Sequence, residues 1–130
     1  MSLLVVGSVA FDALESPYGK VDRALGGAAT YFALAASFFS PVHLVAIVGD
    51  DFTREDAAVF RGRPIDIEGL ERSAGKTFFW SGRYSQNLNE RVTLATELNV
   101  FAAFKPRLPE KYRDSKFVFL ANIEIGRAHV

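Results

Sequence analysis

Three apolar runs of unequal length open the chain, and their order constrains the fold more than any other feature. LLVVGSV (3–9) is short, continuous and rich in β-branched residues, the pattern of a strand buried on both faces. GAATYFALAASFF (27–39) is too long and too alanine-rich for a strand. It predicts a helix, apolar on nearly every face and therefore buried, whose small residues admit close approach to a sheet. Pro41 disfavours helical geometry at Ser40 and ends it there. VHLVAIV (42–48) then predicts a second buried strand. Strand, helix, strand is a βαβ unit, so the two strands are expected to be parallel with a right-handed crossover. The chain is α/β.

Residues 49–63 are expected to turn into a second helix, with Thr53 and Asp56 spaced as a capping box. IDIEGLERS (65–73) is strand-like, LPEKYRDS (108–115) a short helical turn, and FVFLANI (117–123) a third buried strand. Between them the period changes to two. KTFFWSGRY (76–84) puts Phe78, Trp80, Gly82 and Tyr84 on one face, and ERVTLATEL (90–98) puts Val92, Leu94, Thr96 and Leu98 together. The polar link SQNLN joins them as an antiparallel hairpin. A second irregularity lies between the first strand and the helix, about eighteen residues where such loops usually take roughly 2–6. It contains another alternation, FDAL (11–14). The two insertions are expected to form one small sheet, with strands at about 11–14 and 66–98. Such a sheet would cover the ends of the parallel strands, where α/β proteins bind ligands.

Several residues have the chemistry to use that position. Gly26 and Gly27 precede the helix; they make either a tight turn with close helix–sheet packing or a bare helix end whose amides can approach a bound molecule. Asp12 sits in an apolar alternation and is either an acceptor for the hydroxyls of a sugar or ribose, or a solvated turn residue. Asp50 and Asp51 are expected to cap the helix that follows rather than to hold a metal. Phe78, Trp80 and Tyr84 offer an aromatic face for a base or sugar, for a dimer contact, or for sheet packing. Asn99 and Asn122 lie at the ends of strand-like segments, where polar side chains can reach a ligand. No phosphate-binding glycine loop of the Walker or dinucleotide type is present. His43 lies inside a strand pattern and His129 at the end, so neither a histidine triad nor a metal cluster is supported.

Taken together, VVGSVAFD, LGGAATYFALAASF and VAIVGDDF resemble, in order and spacing, the N-terminal signature of the PfkB/ribokinase family of sugar and nucleoside kinases. The resemblance covers residues 3 to 124. It implies a ribokinase-like α/β fold, a parallel sheet flanked by helices with a small β-sheet lid. It implies that Asp12 hydrogen-bonds substrate hydroxyls, that Gly26 and Gly27 bring amides to the same substrate, and that Phe78, Asn99 and Asn122 lie at or near the pocket. The family often places Asn where this chain has Thr30, whose hydroxyl cannot copy both donor and acceptor of an amide. The family's ATP site and catalytic base lie in a Gly-Ala-Gly-Asp segment of the C-terminal half, and this sequence has none. The resemblance therefore implies the substrate-binding half of a longer ATP- and Mg²⁺-dependent kinase, with no catalytic residue, metal or nucleotide held by these residues. IGRAHV (125–130) is similar to the peptide encoded when a sequencing-library adapter is translated, so those residues are expected to be non-native.

Composition narrows the remaining classes. Fifteen basic and fifteen acidic residues cancel without forming blocks, which argues against nucleic-acid or membrane-surface partners. Cysteine is absent, which removes disulfides and thiolate sites and agrees with a cytoplasmic location. Two other classes stay open: a Rossmann-type nucleotide-binding domain of an oxidoreductase, and a non-catalytic interaction module that dimerises through its aromatic sheet. A homodimer through the lid is compatible with the kinase reading as well. Apolar surface and an unpaired strand edge are expected to make the chain poorly soluble alone.

Overall fold

The apolar runs fold as a βαβ unit. In the computed structural model, which describes residues 2–122, strand β1 (Leu3–Val6) and strand β4 (Val42–Val48) pair in parallel, Leu3 opposite Val42. Helix α1 (Ala28–Ala36) packs on one face of them through buried Ala29 and Ala33. β4 is also flanked by two short parallel strands, β5 (Ile65–Asp66) and β6 (Leu70–Arg72), and β1 by β9 (Phe117–Leu120). This main sheet is parallel throughout. Its face toward α1 carries Val5, Leu44, Ala46 and Val48, with Phe52 and Phe60 packed against them. The opposite face carries Leu4, Val6, Val45 and Ile47 under Phe104 and Tyr112, brought by two 3₁₀ turns, Asn99–Ala103 and Glu110–Tyr112.

The insertions build a second, four-stranded sheet in the order β3-β2-β7-β8: β2 (Ala10–Ser16), β3 (Gly19–Gly26), β7 (Phe78–Tyr84) and β8 (Arg91–Glu97). Its outer pairs are antiparallel hairpins and its central pair, β2 with β7, is parallel. Phe11, on the face away from the candidate pocket, is buried and meets Phe52 of the main core with ring centroids 6.1 Å apart. One face of the second sheet is therefore anchored and the other is free to cover a ligand.

Several sequence expectations change here. β3 was not anticipated: GKVDRALG is largely exposed and carries no apolar period, so pairing with β2 alone makes it a strand. Residues 65–72 join the main sheet, not the small one, because β5 and β6 pair with the two ends of β4. The predicted helix over 49–63 contracts to α2 (Arg54–Ala57) followed by turns, its capping box formed by Thr53 and Asp56. α1 is not buried all round, since only one side meets the sheet; Tyr31 is exposed on the other, as are Phe38 and Phe39 just beyond its end. β9 is an edge strand rather than a buried one, and all four of its residues are exposed. The segment at 125–130, and the last residue of the run at 117–123, lie outside the described residues.

Candidate functional site

The register of β2 on β7 decides which side chains meet. Ala10, Asp12 and Leu14 stand opposite Phe78, Trp80 and Gly82, so an acidic group and an aromatic row share one face of the second sheet. Gly82 leaves room for its neighbour: a Cβ there would run into the Trp80 indole, which lies flat along the strand. The indole Nε1 donates to Thr93 Oγ1 at 3.3 Å. Tyr84 and Arg91, paired across β7 and β8, extend the same face. Together with Ser8, Gly27, Tyr31 and Asn122 from the main body, these residues line a cavity of about 390 Å³.

Asp12 is the acidic group in this cavity. Among the described residues its carboxylate has neither a hydrogen bond nor an ion pair, and burial pushes its pKa up. The register shift of the β2–β3 pair falls between Asp12 and Leu14, where a bulge re-aims the strand. Gly26 of β3 is beside it: a Cβ on Gly26 would occupy the position of the Asp12 carboxylate oxygen. Gly27 has φ of 98°, a conformation that side-chain-bearing residues rarely adopt, and packs against the Ser8 carbonyl. The two glycines thus do different work. Gly26 makes space for the carboxylate, and Gly27 turns the chain from β3 into α1.

The end of α1 is less bare than the sequence suggested. The Ala28 amide donates to Ser8 Oγ at 3.0 Å and the Ala29 amide to the Ser8 carbonyl at 3.0 Å. Ser8, at the end of β1, caps the helix across space. The Gly27 amide has no partner among the described residues and is the donor left at this edge of the cavity. Thr30 is buried behind this turn, its Oγ1 without a partner among the described residues, but it does not line the cavity.

Of the residues singled out from sequence, Asp12, Gly27, Phe78 and Asn122 line one cavity and Gly26 touches Asp12. Asn99 is elsewhere. Its Nδ2 donates to the Thr77 carbonyl at 2.9 Å, at the junction between the two sheets. Asp50 and Asp51 are not helix caps either, because Thr53 takes that role. Asp50 accepts from the Gly75 amide at 3.2 Å and Asp51 from the Thr77 amide and hydroxyl at 2.8 and 2.6 Å. Sequence reasoning missed Ser8, Tyr31 and Arg91. The first two need the third dimension; Arg91 opens a strand whose apolar alternation draws attention to Val92 and Leu94 instead. A larger cavity, about 500 Å³ and lined by Lys76, Lys105 and Arg107, lies on another side of the junction. We place the site at the smaller one, which holds the unpartnered carboxylate.

No protein-family model matches the chain. No curated protein matches it either. Among solved structures, the Methanocaldococcus jannaschii nucleoside kinase, a member of the ribokinase family, superposes with a TM-score of 0.71 at 17% identity, over 95% of this chain and 45% of that one. The ribokinase of Cryptococcus neoformans var. grubii serotype A, in complex with ADP, gives 0.68 at 16% identity over 91% and 40%. The Burkholderia thailandensis nucleoside kinase, in complex with inosine, gives 0.63 at 15% identity over 75% and 35%. The chain has the ribokinase-like fold, and it spans less than half the length of these proteins. Among the described residues no helix is long and apolar enough to cross a membrane.

Proposed function

We propose that this chain is the substrate-binding part of an ATP-dependent kinase acting on a hydroxyl of a sugar or nucleoside, with the second sheet as its lid. The observation that carries the reading is Asp12, half-buried, without a partner among the described residues, and given its space by Gly26. A carboxylate that has lost water without gaining a partner is unfavourable until donors arrive, and vicinal hydroxyls supply them in pairs. The Gly27 amide offers one further donor, and the Phe78 and Trp80 rings offer apolar faces to a sugar or base. Proteins of the same fold that hold inosine or ADP support the same substrate class and nucleotide.

In this reading Mg-ATP and the base that activates the hydroxyl belong to a further part of a longer polypeptide. When bound, Mg-ATP supplies the phosphoryl group and the counter-charge for its transfer. In the same reading the divalent cation is held together with the nucleotide by that further part. The chain alone is expected to bind substrate and to transfer no phosphate. Exposed Val92, Leu94 and Leu98, on and just after the outer strand of the lid, are the surface assigned to a homodimer.

Trp80 is the one tryptophan of the sequence and lines the cavity, so its fluorescence reads the site directly. Titration with fructose, ribose and inosine is expected to give a saturable change with at least one of them. Asp12→Asn and Gly26→Ala should each weaken it by about tenfold or more, since each removes or displaces the charged acceptor. No saturable response, or an affinity that Asp12→Asn leaves unchanged, overturns the proposal.

A further inference from the structure

The candidate cavity carries two charges of opposite sign that do not meet. Asp12 lies on β2 directly opposite Trp80, and Arg91 lies on β8 opposite Tyr84, four residues further along β7 or about 13 Å. The Arg91 side chain reaches back over the indole, its guanidinium carbon 5.6 Å from the Trp80 ring centroid. The carboxylate and the guanidinium therefore flank the same ring. Among the described residues Arg91 has no ion pair and no hydrogen bond. Glu90, next to it in sequence, lines a separate hollow with Tyr18 and Ser85. Within the cavity Asp12 and Arg91 are the charged lining residues.

A neutral sugar or nucleoside uses only one of these two ends. Its hydroxyls satisfy Asp12 and its ring covers Trp80, leaving the guanidinium unmatched. Guanidinium groups recognise carboxylate and phosphate by paired N–H donation, with a geometry that a hydroxyl does not reproduce. We propose that the substrate is an anionic sugar, with its hydroxyls at Asp12, its carbon skeleton on the Trp80 ring, and its carboxylate or phosphate at Arg91. This rests on the reading of the cavity as a sugar or nucleoside site and adds the charge of the ligand. Arg91 is exposed at the mouth of the cavity, where a cation also speeds the approach of an anion.

Trp80 fluorescence of the 130-residue chain tests this with matched pairs: fructose against fructose 6-phosphate, and glucose against gluconate. At least one anionic member is expected to bind about tenfold or more tightly than its neutral partner. Which pair shows the preference separates a sugar phosphate from a sugar acid. Arg91→Gln should reduce the ratio to near unity. Arg91→Lys, which keeps the charge without the planar fork, should retain part of it. Added sodium chloride should shrink the preference. Equal binding of neutral and anionic partners, or a preference that survives Arg91→Gln, overturns the proposal. If Asp12→Asn abolishes neutral-sugar binding in the same experiment, the broader reading stands without it. No binding of any of the four overturns both.

Discussion

Asp12 and Asp66 are two carboxylates whose environments push them in opposite directions, so they should respond to pH with opposite sign. Burial raises the pKa of Asp12, and no partner opposes the shift. The folded chain then holds that proton more tightly than the unfolded one, so Asp12 costs stability as pH rises above the ordinary carboxylate value. Burial would also raise Asp66, but hydrogen bonds from Lys111, the Tyr112 hydroxyl and the Glu68 amide outweigh it and hold the group at about 2. Its contribution is present above about pH 4 and is lost as pH falls toward 2. Asp12→Asn is thus expected to raise the melting temperature at neutral pH while weakening ligand binding, a trade found where a group is kept for function. Tyr112→Phe is expected to lower stability by about 1–3 kcal/mol, because the Gly69 amide and Asp66 lose the buried hydroxyl they share. It should also flatten the acid limb between pH 4 and 2. Thermal melts across that range check both variants. A neutral-pH destabilisation by Asp12→Asn, or an unaltered acid limb in Tyr112→Phe, contradicts the account.

The elements meet at a junction that is hydrogen-bonded rather than merely packed. Leaving β4, the Gly49 amide donates to Thr77 Oγ1 at 2.9 Å, and that hydroxyl donates to Asp51 at 2.6 Å. Asn99, just after β8, ties to the Thr77 carbonyl, and Arg23 of β3 donates to Asp56 at 2.8 Å and to the Asp51 carbonyl at 3.0 Å. Gly27, Gly75 and Asn99, all with positive φ, stand where the chain crosses between the sheets. Thr77 is buried, so Thr77→Val should cost about 1–3 kcal/mol by stranding Gly49 N–H and Asp51, while Thr77→Ser keeps the bonds. Hydrogen exchange should show the loosening in β7 before β1, and uniform loosening would argue against a local junction.

The same junction explains what was legible in the sequence. The βαβ core was, because its apolar periods are local. So were the Thr53–Asp56 capping box and the aromatic face of β7, which need only near neighbours. Asp12 stood out as a charge in an apolar alternation. β3 did not, since its strand character comes from pairing. Nor did the roles of Asp50 and Asp51, because their partners lie about 25 residues away and a helix follows immediately.

At the scale of the whole molecule, the two borders of the main sheet differ: one is made of two very short strands, the other of a longer apolar one. β4 is flanked by β5 and β6, but among the described residues β9 pairs with β1 alone and exposes Phe117, Val118, Phe119 and Leu120. Phe119 finds cover by stacking on Phe32 of α1 at 3.6 Å, whereas Val118 stands over half exposed. An apolar strand with a free row of N–H and C=O groups is a template for pairing with another chain. Self-association through β9 is the outcome expected, in parallel or antiparallel register, and separately from any contact made by the second sheet. Sedimentation velocity should therefore show mass rising with concentration. Val118→Lys should shift the distribution toward monomer, because a charge on an edge strand opposes its burial against a second copy. A lysine at exposed Val92 on β8 provides the control: an equal shift there would assign the association to the second sheet. A chain that stays monomeric at the highest soluble concentration would mean that this edge is not adhesive.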